Sequence, residues 1–184
     1  IMISDSYLMT HLGRSATALE TASAQAEFFE TLKDLTKEVS KEVRQSFPAN
    51  ISPFVLADMP DGSTADTESA IKNASQMLTA GADAVKLEIF SSDRFEIVNA
   101  LTNADIPVIS HLGYTPQNGQ NRPVGNSIGE ALDLFAKARM ARDAGSVGLV
   151  LERVNEFVNQ CLCKPSLHGI PSYSIFSGKS DWGG

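Results

Sequence analysis

The chain has 184 residues, 42% of them apolar, and a formal net charge of −7. That length supports one domain with a sizeable core, and the acidic balance argues against nucleic acid or an anionic membrane as partner, since both want a basic face. No apolar stretch approaches the roughly 20 residues of a membrane span, and no basic segment leads into a long apolar core as in a signal peptide.

The first apolar run, 1–5, predicts a strand ending at Asp5, and a polar stretch over 6–23 follows. Phe28, Leu32, Leu35, Val39 and Val43 then recur at spacings of 4, 3, 4 and 4, which is one face of a helix. Thr21 or Ser23 can cap its start. Pro48 and Pro53 bracket the turn into a strand over 54–57, and the Pro and Gly of 58–63 mark a loop. Asp66 or Thr67 caps a second helix carrying Ala70, Ile71, Ala74, Met77 and Leu78, with Gly81 just past its end. A strand over 82–88 follows. Asp93 then caps a third helix with Phe95, Ile97, Val98 and Leu101 inward. Pro107 opens a strand ending at His111. The stretch 112–126, rich in Gly, Pro, Asn and Gln, predicts a long loop of the kind that carries function or mobility. A fourth helix carries Ile128, Leu132, Phe135 and Met140 and stops at Gly145. The next strand runs to Glu152, a shorter helix covers about 156–163, and a last strand spans 171–176 before Ser177 and Gly178.

Strict alternation of strand and helix with short connections predicts an α/β fold, a parallel sheet with helices outside. Eight such units close a (β/α)8 barrel of TIM type, typically of ~250 residues. Six strands, in a chain that opens inside one and stops directly after another, fit a single partial barrel domain over 1–184 with elements expected to be lacking at both ends. The rival is an open doubly wound sheet. No G-x-G-x-x-G follows the first strand, which disfavours its dinucleotide-binding form. An open barrel exposes strand edges, so a homo-oligomer is expected. Cys161 and Cys163 are too close for disulfide geometry and too few for zinc. They read as reduced packing residues, in keeping with a cytoplasmic location.

Polar residues at the C-terminal ends of barrel strands stand where such folds keep their chemistry. Five apolar runs here end in Asp5, Asp58, Glu88, His111 and Glu152. The three carboxylates Asp5, Asp58 and Glu88 suit Mg2+, which takes one or two carboxylates together with waters and substrate oxygens; a helix cap or surface acid is the plainer account of any one alone. Lys86 shares a strand face with Glu88, either as a buried ion pair or as a cation for a substrate carboxylate. His111 can donate to an oxyanion or shuttle a proton, or cap a helix. Glu152, at the end of a dry strand, can serve as a general base with a pKa raised by desolvation, or pair with Arg153 or cap a helix. Ser6 and Ser63 can bond a ligand carboxylate, and Ser177 with Gly178 occupies the phosphate-loop position of barrels; these are weak signals, because turns use Ser and Gly routinely. His11 and His168 have no patterned neighbours and no assigned role.

Together these strings resemble the ketopantoate hydroxymethyltransferase (3-methyl-2-oxobutanoate hydroxymethyltransferase) family, which belongs with the phosphoenolpyruvate/pyruvate-type barrels. The family's Gly-Asp-Ser resembles residues 4–6, its Ala-Asp-Leu-Pro-Phe-Gly-Ser is similar to 57–63, and its Ala-Val-Lys-Leu-Glu matches 84–88. Its Ile-Pro-Val-x-x-His-x-Gly-x-Thr-Pro-Gln matches 106–117, its Val-Leu-Glu matches 150–152, and its Ile-Pro-x-x-x-Ile-x-x-Gly resembles 170–178. The resemblance implies a barrel and Mg2+. It also implies transfer of a one-carbon unit from 5,10-methylenetetrahydrofolate to 2-oxoisovalerate, giving ketopantoate for pantothenate biosynthesis. Residue by residue, it implies that Asp5 and Asp58 hold the metal with Glu88 beside them, that Ser6, Lys86 and His111 bind the oxoacid, and that Glu152 is the base. The chain departs from the family pattern at Ser4, Asp61, Ile89, Phe90, Arg153 and Phe176. Two other readings compete: a related oxoacid carbon–carbon lyase or mutase, whose barrels typically carry a Cys-containing lid motif absent here, and a non-catalytic barrel-like protein for assembly or ligand sensing.

Overall fold

Six strands lie side by side in chain order, every neighbouring pair parallel: β1 (Met2–Ile3), β2 (Leu56–Asp58), β3 (Ala84–Glu88), β4 (Val108–Gly113), β5 (Gly148–Glu152) and β6 (Ser172–Ile175). This computed structural model describes residues 1–120 and 122–182. Asn121, inside the loop expected over 112–126, and Gly183 and Gly184 lie outside the described residues. The strand order never reverses. A doubly wound sheet must reverse at its switch point, so the sheet is a curled half-barrel and the doubly wound rival is excluded.

Between the strands run α1 (Asp5–His11), α2 (Ala22–Ser46), α3 (Thr67–Thr79), α4 (Arg94–Asn103), α5 (Ile128–Asp143), α6 (Glu156–Leu162) and α7 (Pro165–His168). Side chains alternate across a strand with period two, and the two faces have separate fates. Ile3, Val55, Ala57, Val85, Leu87, Val108, Leu149 and Leu151 join helix residues such as Phe28, Leu32, Met77, Val98, Leu101 and Leu134 in one large core. The intervening residues Leu56, Ala84, Ile109 and Val150, with Ile175 against them, form a second, small cluster on the concave face. Two residues further along the same face of β2, β3, β4 and β5 come Asp58, Lys86, His111 and Glu152. The concave face is therefore apolar in its lower part and ionisable at its C-terminal rim.

Several expectations for local structure hold. Thr21 caps α2 by accepting from the Ala24 N–H at 3.2 Å. Asp66 and Ser69 form a capping box at α3, and Gly81 follows that helix at φ +108°. Others need correction. The run expected to be a strand through Asp5 leaves the sheet after Ile3, because the Ser4 hydroxyl accepts from the N–H groups of Ser6 and Tyr7 and starts α1 at Asp5. A short helix thus occupies the beginning of the stretch read as polar loop. Asp93 stands at the start of α4 in a right-handed helical conformation and makes no capping bond. On α5, Ile128 and Leu132 are exposed, at 82% and 64%, while Leu134, Ala138 and Ala141 face the sheet. The helix packs through Leu134, the two alanines and the partly buried Phe135, and leaves Ile128 and Leu132 outside. Cys163 is buried as expected of a packing residue, whereas Cys161 is exposed. Among the described residues no helix is long and apolar enough to cross a membrane.

Candidate active site

Register brings the rim residues together. Asp58 pairs with Lys86 across β2 and β3, Glu88 with His111 across β3 and β4, and Gly113 with Glu152 across β4 and β5. Lys86 Nζ lies 2.9 Å from Asp58 Oδ2, with both side chains buried. The Asp5 N–H, at the start of α1, donates to the same oxygen at 3.1 Å. Asp58 Oδ1 is buried with no hydrogen-bond partner. Asp5 accepts from the Ser6 hydroxyl at 3.2 Å through Oδ1 and from Gln117 Nε2 at 3.0 Å through Oδ2. Glu88 accepts the Gln117 N–H at 3.1 Å. His111 lies between two carboxylates, with Nδ1 3.8 Å from Glu88 Oε1 and Nε2 3.4 Å from Glu152 Oε2. Neither ring nitrogen closes a hydrogen bond to a side chain.

Four carboxylates thus surround one lysine in a place that water scarcely reaches. Burial pushes the Glu88 carboxyl up to about 9; the charge of Asp5 adds to this and Lys86 opposes it. Burial likewise raises Asp58 to about 7 against the pull of Lys86. Lys86 would be lowered by burial alone, but Asp58 and Asp5 outweigh that and hold it protonated, above its ordinary range. Burial, then the nearby Lys86 charge, hold His111 well below its usual value in spite of weak help from the Tyr114 backbone, so its ring is neutral at pH 7. Glu152 is less enclosed, and burial raises it too, with Lys86 opposing.

Of the residues singled out in the sequence, Asp5, Asp58, Lys86, Glu88, His111 and Glu152 meet at this rim, with the Ser6 hydroxyl against Asp5. The buried ion pair of Lys86 is with Asp58 on the neighbouring strand, not with Glu88. Arg153 does not pair with Glu152; its guanidinium stacks on Tyr114 at 4.7 Å. Ser63 and Ser177 are used internally: Ser63 Oγ donates to the Pro60 carbonyl, and Ser177 Oγ accepts the Val154 N–H. Asp61 accepts the Leu19 N–H at 2.7 Å and so ties down the segment after α1. Ile89 is buried in the helix-side core, and Phe90 lies under the Arg94 guanidinium at 5.0 Å. Gln117 was not among the candidates, although it bonds two of the carboxylates; its place in the Thr-Pro-Gln string was its only signal.

Among the described residues no three His, Cys, Asp or Glu side chains stand close enough to hold a metal ion by themselves. The donor set nevertheless fits a hard divalent cation that keeps its own waters and takes few protein ligands. It is all oxygen and brings four carboxyl groups to one lysine. One of its oxygens, Asp58 Oδ1, is buried and unclaimed.

The fold has close likenesses among solved structures. Phosphoenolpyruvate phosphomutase from Streptomyces platensis aligns with a TM-score of 0.66 at 13% identity, over 95% of this chain and 60% of that one. A phosphonopyruvate hydrolase solved with oxalate and Mg2+ aligns at 0.62 and 15%, over 95% and 59%. A 2,3-dimethylmalate lyase, described as a PEP mutase/isocitrate lyase superfamily member, aligns at 0.58 and 16%, over 92% and 56%. At such identities these likenesses bear on the fold alone, which they place among TIM-barrel folds. Sequence relatives are nearer. A 3-methyl-2-oxobutanoate hydroxymethyltransferase of Ignicoccus hospitalis is 33% identical over 97% of this chain and 63% of its own length. Its namesake in Pyrobaculum islandicum is 38% identical over 80% of this chain and 56% of its own length. The chain therefore spans less than two thirds of the curated relatives it matches. The family model described as ketopantoate hydroxymethyltransferase matches residues 1–181, and with the rim residues in register on one face, the chain belongs to the ketopantoate hydroxymethyltransferase family of enzymes.

Proposed function

We propose that this rim carries out Mg2+-dependent hydroxymethyl transfer, in which 2-oxoisovalerate, 5,10-methylenetetrahydrofolate and water give ketopantoate and tetrahydrofolate. The observation that carries the reading is the excess of buried carboxylate over cation, with Asp58 Oδ1 left unpartnered. Asp5 and Asp58 would hold the cation, with Glu88 beside them. When bound, it supplies Lewis acidity that polarises the oxoacid carbonyl.

The chain's own residues supply the rest. Lys86, held protonated by Asp58, offsets the negative charge of the oxoacid. Neutral His111 lends a hydrogen-bond donor without repelling Lys86, and the exposed Ser6 hydroxyl reaches the substrate from α1. Glu152 is partly open to the rim and has a raised pKa, which suits a general base working near neutrality. It takes the C3 proton of the oxoacid, and the resulting carbanion equivalent attacks the one-carbon unit of the folate. Assembly into a homo-oligomer is part of the same reading and is supported by the uncovered concave face. The lyase or mutase alternative is not favoured, since Cys161 and Cys163 lie at the end of α6 and away from the rim.

Exchange of the C3 proton into deuterated water tests the reading without folate. After calorimetric titration with Mg2+ and 2-oxoisovalerate, the wild-type chain is expected to exchange this proton. Glu152→Gln is expected to bind both ligands with an exchange rate at least 100-fold lower, in line with the 10²–10⁴-fold worth of a general base. Binding without exchange in the wild type would support a ligand-sensing role instead. Binding of neither ligand would remove the enzyme reading.

A further inference from the structure

Gln117 lies outside the strands, in the single 3-10 turn Pro116–Asn118 that follows β4, yet it touches three pieces of the rim. Its Nε2 donates to Asp5 Oδ2 and to the Met59 carbonyl, both at 3.0 Å. Its backbone N–H donates to Glu88 Oε2 at 3.1 Å. One residue thus links the first residue of α1, the loop after β2 and the end of β3. The first of these contacts spans 112 residues of sequence.

The chemistry of the side chain matters here. Asp5 and Glu88 are two carboxyl groups at close quarters, and each accepts a hydrogen bond from the same residue. A primary amide has two N–H bonds on one nitrogen and can donate to two acceptors on different elements. A lysine could do the same but would neutralise the charge a cation needs, a glutamate has no N–H, and an asparagine is one methylene shorter. The turn, moreover, does not depend on Gln117 for its shape. Gln120 Oε1 accepts from the Thr115 N–H at 2.8 Å and from its hydroxyl at 2.9 Å, and Gly119 closes the turn at φ +79°.

We propose that Gln117 is a positioning residue, which holds Asp5 and Glu88 in fixed orientation through uncharged donors so that the rim keeps its affinity for a divalent cation. This rests on the function proposed above. Groups that orient metal ligands from behind typically contribute 10–100-fold to metal affinity. In the experiment, Mg2+ alone is titrated calorimetrically into the wild-type chain, Gln117→Met and Gln117→Ala, and metal-free melting is recorded for each. Methionine keeps the volume of the side chain without its donors, and both variants keep the backbone N–H to Glu88. A 10–100-fold weaker Mg2+ affinity in both variants, with melting temperatures within about 4 °C of wild type, is the expected result. Affinities within twofold of wild type would overturn the role of Gln117 and leave the proposed function standing. A loss of affinity in Ala alone, restored in Met, would also overturn it, since packing and not donation would then be at work. Failure of the wild-type chain to bind Mg2+ would instead remove the proposed function, and this inference with it.

Discussion

Two buried carboxylates with raised pKa values make stability depend on pH in an unusual direction. Glu88 titrates at about 9 in the folded chain against about 4.5 when free, and Asp58 at about 7 against 3.8. Between the free and folded values the folded state binds more protons than the unfolded one, so stability falls as pH rises. Each group contributes at most about 1.4 kcal/mol per pH unit. Asp58 acts from about pH 4 to 7, and Glu88 from about pH 4.5 to 9. In urea titrations with chelator present, these two groups are therefore expected to weaken the chain as pH rises from about 4 toward 9, with the buried neutral His111 offsetting part of the loss below about pH 6.5. Glu88→Gln is expected to flatten the curve between pH 7 and 9, where of these two groups Glu88 alone is still titrating. An unchanged slope there would show that Glu88 is already ionised in the fold. These residues were legible one by one as strand-end acids. Their partners were not, because partners follow from register: Lys86 meets Asp58 across β2 and β3, while its sequence neighbour Glu88 is turned to His111 and Gln117. Gln117 itself escaped notice because its bonds depend on how a loop folds back over residues far away in the chain.

At the level of elements, the tightest constraint on the rim lies where β4 ends against β5. Gly113 has φ +104°, and a Cβ added there would stand 2.3 Å from the Glu152 carbonyl oxygen and 2.8 Å from Val154. The backbone of β5 cannot yield to such a contact without moving Glu152. A left-handed conformation alone costs a non-glycine residue about 1–3 kcal/mol. Gly113→Ala is thus expected to lower unfolding free energy by more than about 3 kcal/mol. It should also slow C3-proton exchange at temperatures where the variant is still folded, which circular dichroism and the exchange assay together would check. Exchange at the wild-type rate in folded Gly113→Ala would mean that Glu152 is not held by this contact. The glycine in the His-Leu-Gly string was visible in the sequence; its backbone angle was not. The same gap explains the misread helices. A seven-residue helix such as α1 shows too few turns for periodicity, and only its Ser4 cap marks it. On α5, Ile128 and Leu132 point outward because the helix approaches the sheet through Leu134, Ala138 and Ala141, and the two alanines leave a faint pattern.

For the molecule as a whole, the alternation of strand and helix was enough to predict a parallel sheet, because right-handed crossovers with short connections leave few other arrangements, while the choice between a barrel and a doubly wound sheet rested on the strand order itself. The sheet's curl, and what its concave side meets, depend on contacts that no local pattern encodes. That side bears Leu56, Ile109, Val150, Tyr173 and Ile175 around a cavity of 540 Å³, and the outer edges of β1 and β6 have no strand beside them in the described sheet. An apolar face continuous with two unpaired edges draws other chains by burial and by backbone hydrogen bonding together. Sedimentation velocity is therefore expected to show a coefficient that rises with protein concentration over the micromolar range. Tyr173→Lys should shift the chain toward the monomer, since Tyr173 is half-exposed at the mouth of the cavity and a charge there must stay hydrated. Because Tyr173 is in register with Val150, two residues before Glu152, Mg2+ affinity should be the same in this variant. If the coefficient were flat with concentration in both proteins, the concave face would be closed within the single chain. If association persisted unchanged in Tyr173→Lys, the contact would lie on the helical side, where Ile128, Leu132, Met140 and Phe157 are among the exposed apolar residues.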